Sequence, residues 1–212
     1  MTDIVKTLSP AEVAAAIADV SKISATAVNV ASPKTFIFNA GFDGTNNIKT
    51  DLSVSQDKQS TAIGALTDAI PDTANSQTRY YAGLGTPGTL PGSSVNPIQV
   101  TAQAIDTAEK AYKDFSLAAK VWYDGNKDGN ISVVISTFSR GTITGAIFSQ
   151  ILAERGLTVT DVSGNTVNLI APGQITISNA LVLSPVTTGA IGNVGFGPWG
   201  QVSHLAKSAT LV

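Results

Sequence analysis

The chain has 212 residues, 43% of them apolar and only 13% charged, with a formal net charge of −2; that suits one domain with a full core and lacks the basic excess of a nucleic-acid binder. Cysteine is absent, which excludes disulfides and thiolate metal sites. No apolar run reaches the ~18 residues that a spanning helix needs, and the N-terminus lacks the basic-then-apolar order of a standard signal peptide.

Ser9-Pro10-Ala11-Glu12 is a capping box with proline at the first helical position, and it predicts a short helix within residues 8–23 for packing or attachment. Residues 24–34 read as a connection, so the chain divides into 1–34, a helix and its connection, and 35–212, the main domain. Thr35 to Ala40 alternates and then turns apolar, as a strand does, and runs into Gly41-Phe42-Asp43-Gly44-Thr45-Asn46-Asn47. This cluster is a turn by composition. It is either a structural Asx-turn or a ligand-binding turn at the C-terminal end of a strand in an open sheet. A modest helical pattern covers Thr61 to Ile70. Arg79-Tyr80-Tyr81 then predicts a short strand entering Gly83-Leu84-Gly85, a G-x-G that lacks the following helix N-terminus of a phosphate cradle. After a loop from Pro87 to Pro97 comes a helix over 98–119, with Ala102, Ile105, Ala108, Ala111 and Tyr112 as its small-residue face.

Asp124, Asn126 and Asp128 open a D-x-N-x-D-G run like the start of a calcium loop. The twelfth position is Ile135 rather than the bidentate glutamate, and a strand follows rather than a helix, so a turn is the favoured reading and calcium the minor one. Ile131 to Ile135 is a β-branched run suited to a strand buried on both faces. Thr137-Phe138-Ser139-Arg140-Gly141 follows, then a helix with Ile143, Ile147 and Ile151 on one face and Gly156 as its C′ residue. Strand, sharp turn with a central serine, helix is the layout of a nucleophile elbow. In such a turn the serine backbone is strained, its Oγ stands clear of the sheet, and the next N–H, here that of Arg140, points into an oxyanion hole. Gly141 is one of the small neighbours the turn needs; Thr137 stands where a second glycine is expected. The competing reading is an ordinary strand-to-helix turn with a serine N-cap. Beyond it, residues 158–161 and 166–170 flank a hairpin turn, and a further strand lies within Gln174–Leu183. A glycine-rich stretch, Gly189 to Gly200, carries Phe196 and Trp199 and lines a groove or covers the core. His204 is the only histidine, so any imidazole chemistry must use it.

Three segments, Asp43-Gly44-Thr45-Asn46 after a strand, Tyr80-Tyr81-Ala82-Gly83-Leu84-Gly85-Thr86, and Phe138-Ser139-Arg140-Gly141, occur in this order. Together they resemble the α/β-hydrolase family that includes type VI secretion phospholipase effectors, over roughly residues 35–205. The resemblance implies an α/β fold: a mostly parallel sheet, helices on both faces and a nucleophile elbow. It implies an acyl-enzyme mechanism with Ser139 as nucleophile and His204 as general base, and an oxyanion hole from Arg140 plus a donor in the Phe42, Gly44, Thr45 loop. It also implies a phospholipid or other ester substrate, no cofactor, a secretion-machinery or immunity partner, and release without a signal peptide from a cytoplasmic start. The family's acid falls at Ser184 in this chain. Glu154 on the elbow helix and Asp161 in the hairpin are the only carboxylates between Ser139 and His204, and none follows His204. Three accounts remain open: a serine–histidine dyad oriented by Ser184 or a carbonyl, Asp43 or another N-terminal carboxylate as third member, or a catalytically impaired domain that binds a lipid or protein.

Overall fold

The computed structural model describes residues 11, 34–53, 59–86, 97–160, 163–183 and 209–211. Most of the expected N-terminal helix, the loop at 87–96, Asp161, Ser184, the stretch 189–200 and His204 lie outside the described residues. Seven strands and three helices are described: β1 (Thr35–Phe42), α1 (Ala62–Ala69), β2 (Ser76–Tyr81), α2 (Pro97–Asp124), β3 (Asn130–Phe138), α3 (Gly141–Arg155), β4 (Leu157–Thr160), β5 (Thr166–Ile170), β6 (Thr176–Leu183) and β7 (Ala209–Leu211). Five strands form one sheet in the order β2-β1-β3-β6-β7, every pair parallel. β4 and β5 form the expected hairpin as a separate antiparallel pair. The chain is therefore an α/β fold built on a parallel sheet.

Side-chain alternation along β1 sorts the layers. Phe36, Phe38, Ala40 and Phe42 enter the large core with α2 and α3, where Phe38 meets Phe115 edge-on at 5.6 Å and Phe42 lies 5.7 Å from Phe148. The alternate residues face the other way. There Asn39 donates to Ser76 Oγ and Thr78 Oγ1 across the strands, and a Cβ on Gly41 would lie 2.5 Å from Thr67 of α1. Helices thus cover both faces, which is why β1 is buried nearly end to end.

α2 runs five residues beyond its expected end, so Asp124 closes a helix instead of opening a loop. Its buried stripe is Val100, Ala104, Ala108, Ala111, Phe115 and Ala119, while Ile105 is 39% exposed and Ala102 exposed. The expected face was therefore partly misplaced: Ile105 lies a full ~100° around the helix from Ala104 and turns outward. Asp124 is bound to Lys120 and Lys127, and Asp128 to Lys34. The lysines hold the Asp124 carboxyl down at about 2. Among the described residues no group of three or more acidic, histidine or cysteine side chains is placed to hold a metal ion.

Gly156 ends α3 with φ 61° and its N–H on Leu152 O; a Cβ there would stand 2.2 Å from Ile170 O. Gly164, in the hairpin turn, also has positive φ but nothing within 4 Å. Gly156→Ala is expected to lower stability by about 2 kcal/mol or more and Gly164→Ala by about 1 kcal/mol, read from denaturant midpoints at unchanged slope. Equal losses would contradict the contact.

Candidate active site

The strand order sets the site. From β1 the chain crosses to β2 on one side and then returns to β3 on the other, so the connections diverge at β1 and β3. The crevice outside their carboxyl ends is where open α/β sheets bind ligands. β1, β2 and β3 end level, with Phe42 in register with both Tyr81 and Thr137. The loops that follow them therefore begin side by side.

Ser139 occupies the tip between β3 and α3 with φ 52°, a left-handed conformation that costs a non-glycine residue about 1–3 kcal/mol. Its N–H is held by Leu183 O of the neighbouring strand at 3.1 Å and its C=O receives the Thr142 N–H at 3.2 Å. Its Oγ makes no hydrogen bond with a described residue. The N-cap of α3 is Arg140, with no side-chain capping bond, so the reading of Ser139 as an ordinary N-cap is set aside. Thr137, where glycine was expected, is 2% exposed. It fits because the helix facing it carries Gly145, where a Cβ would lie 2.5 Å from the Thr137 methyl.

Missing Cβ atoms let the neighbouring loops close on this turn. A Cβ on Gly44 would lie 2.6 Å from the Phe138 ring and 3.2 Å from Ser139 Cβ; one on Gly83 would lie 1.5 Å from Gly44 O; one on Gly141 would lie 2.4 Å from Phe42 O. The loop after β1 is thus clamped between the elbow and the loop after β2. This also decides the G-x-G. The Gly83 N–H is spent on Asn47 O and the Gly85 N–H on Gln103 Oε1, so neither is open to a phosphate.

Asp43 anchors the clamped loop. It is 1% exposed; Oδ1 accepts the Gly44 N–H at 2.7 Å, and Oδ2 accepts the Thr61 hydroxyl at 2.6 Å and the Tyr80 hydroxyl at 2.7 Å. Thr61 Oγ1 also accepts the Gly64 N–H as N-cap of α1, so one carboxylate ties together α1, β2 and the loop. Within the loop Asp43 N–H goes to Tyr81 O, Asn46 N–H to Leu84 O and Asn47 N–H to Gly44 O. Phe42 belongs to the core, its ring stacked on Tyr81 at 5.1 Å. Of the three residues expected to supply a second oxyanion donor, Thr45 is the one whose N–H is not drawn into these contacts. Its hydroxyl accepts from Arg140 Nη1 at 3.3 Å. Glu154 is exposed on α3 and takes the Gln150 amide. Thr61 went unnoticed in the sequence because only the fold brings its hydroxyl to Asp43. Behind the loop, a cavity of about 450 Å³ opens between Tyr80, Leu84, Gln103 and Lys110.

Comparisons with solved structures give low-identity likenesses. The Tle1 effector bound to the VgrG spike of the type 6 secretion system is 16% identical with a TM-score of 0.49, over 84% of this chain and 44% of that one. An uncharacterized protein from Pseudomonas aeruginosa is 13% identical at 0.41, over 97% and 38%, and an acetyl xylan esterase is 13% identical at 0.31, over 86% and 84%. The chain spans less than half the length of the first two. No family model matches the chain, and no curated protein does.

Burial, then the bond to Asp43, pushes the Tyr80 hydroxyl far above its ordinary range, and burial with the Asp114 charge does the same to Tyr81. Both phenols stay neutral in the folded chain where an unfolded tyrosine ionises, near pH 10. Their stabilisation is complete below about pH 10 and is lost as pH rises above it. Tyr80→Phe is expected to cost about 1–2 kcal/mol at neutral pH and to flatten the alkaline fall, measured by unfolding across pH. An unchanged alkaline slope would contradict the buried Tyr80–Asp43 bond.

Proposed function

We propose that the chain is a serine hydrolase cleaving carboxylic esters through an acyl-enzyme at Ser139, with a membrane glycerophospholipid as its substrate. The observation that carries the reading is the left-handed Ser139 backbone at the β3–α3 tip, the conformation of a nucleophile elbow, with an Oγ that makes no hydrogen bond with a described residue. In this mechanism His204 removes the Ser139 hydroxyl proton as Oγ attacks the ester carbonyl. The Arg140 and Thr45 N–H groups receive the developing oxyanion. The alcohol leaves with the proton returned by His204, and water then releases the acid by the same steps.

Asp43 takes a positioning role in this proposal rather than that of triad acid, because it is buried and its three bonds tie the loop to α1 and β2. The catalytic arrangement proposed is a Ser139–His204 dyad, oriented by Ser184 or a main-chain carbonyl. Loss of an orienting carboxylate lowers turnover by about four orders of magnitude while leaving measurable catalysis. Slow turnover is therefore expected. Delivery by a secretion machine, an immunity partner and release without a signal peptide belong to the same proposal and rest on the three sequence motifs. Among the described residues no helix is long and apolar enough to cross a membrane.

The second reading, a catalytically impaired domain that binds a lipid or protein, is favoured by one observation: no aspartate or glutamate follows Asp161. Hydrolysis of short-chain phospholipids separates the two. The first reading expects slow release of fatty acid that Ser139→Ala abolishes and His204→Ala lowers at least a hundredfold, with unfolding midpoints unchanged. Wild-type rates in Ser139→Ala would refute it, and no release by the folded wild type would favour the binding domain.

A further inference from the structure

The chain has three arginines. Arg79 is paired with Asp72 and Arg155 with Glu109. Arg140 differs from both. Among the described residues it meets no carboxylate, and its single side-chain bond is the 3.3 Å contact from Nη1 to the neutral Thr45 hydroxyl. That bond joins the guanidinium, one residue from Ser139, to the loop whose Gly44 packs against the elbow. The side chain is half-buried, so part of its hydration is lost without a counter-charge to replace it.

Among the described residues the surroundings do not supply that charge. Asp43 is the carboxylate nearest in the loop; it is 1% exposed and bonded to Gly44, Thr61 and Tyr80, with no bond to Arg140. Asp68 is held by Lys49 and Asp114 by the Tyr81 hydroxyl. The sequence beyond β6 brings none, since residues 184–212 contain no acidic side chain.

We infer that Arg140 is a specificity-determining residue: its guanidinium receives an anionic oxygen group, a carboxylate or a phosphodiester, carried by the substrate close to the scissile ester. This rests on the ester-hydrolase reading and adds to it a requirement for charge. A planar fork beside the nucleophile matches either anion in a two-point contact that a neutral ester cannot make. Thr45 holds one nitrogen and leaves the rest of the fork open.

The test uses the full chain and three soluble esters of one acyl composition: dibutyrylglycerol, its hemisuccinate and its methyl phosphodiester. Butyrate release gives kcat/KM for each, and the readout is the ratio of anionic to neutral substrate within each variant. The wild type is expected to prefer at least one anionic ester by about ten- to a hundredfold, the span of a charge-assisted bond, and to lose the preference as salt rises. Preference for one anion identifies carboxylate or phosphodiester as the group recognised. In Arg140→Gln the ratio is expected to fall to near one, and Arg140→Lys to keep part of it. A wild-type ratio near one, or a ratio that survives Arg140→Gln in a folded variant, would overturn the inference. Should no ester be cleaved, the hydrolase reading fails separately, and NMR titration with the methyl phosphodiester and the hemisuccinate decides about Arg140. Binding lost in Arg140→Gln supports the charge site; absence of binding to both refutes it.

Discussion

The loop after β1 lies against Ser139 on one side and against the loop after β2 on the other, at distances that forbid a Cβ on Gly44, Gly83 or Gly141. Much else follows from this contact. Three backbones that approach so closely cannot be held apart by side chains, so polar bonds from the loop's own carboxylate set its path. Asp43 is the anchor, its charge buried and offset by three donors from three parts of the chain. A buried carboxylate is costly unless it is hydrogen-bonded in this way. The arrangement spends the Asp43 and Asn46 N–H groups on Tyr81 and Leu84 and those of Gly44 and Asn47 within the loop, and it leaves the Thr45 N–H out of these bonds.

The strained backbone of Ser139 belongs to the same construction. A φ of 52° persists only where neighbouring structure over-determines it. Here the Leu183 carbonyl holds its amide and the Thr142 amide holds its carbonyl. Gly141 tucks under Phe42 and Asp43, and Gly145 makes room for Thr137. The departure from a glycine two residues before the serine is thereby absorbed one helical turn later.

Much of this was legible in the residues, and what was not has physical causes. The β-branched run at 131–135 and the alternation at 35–40 marked the central strands, because burial on both faces leaves a strong apolar signal. Gly156 marked a helix end because only a positive φ suits that position. The three motifs named the loops but not their roles. The bonding of Asp43 was not legible, since local sequence does not reveal that Thr61 and Tyr80 converge on it from elsewhere in the fold. The face of α2 was misjudged at Ala102 and Ile105 because a helix rich in alanine carries little contrast between its sides. The D-x-N-x-D-G run was ambiguous for a related reason: the lysines that neutralise Asp124 and Asp128 include Lys34, far away in the chain.

The proposed Ser139–His204 dyad asks much of the Ser139 environment, and the central claim is that this serine is activated. Its most direct test is labelling of the folded chain with a fluorophosphonate, with the modified residue located by mass spectrometry. The account predicts one adduct per chain, on Ser139, formed far more slowly in His204→Ala. A folded wild type that stays unmodified, or an adduct on another serine, would contradict it.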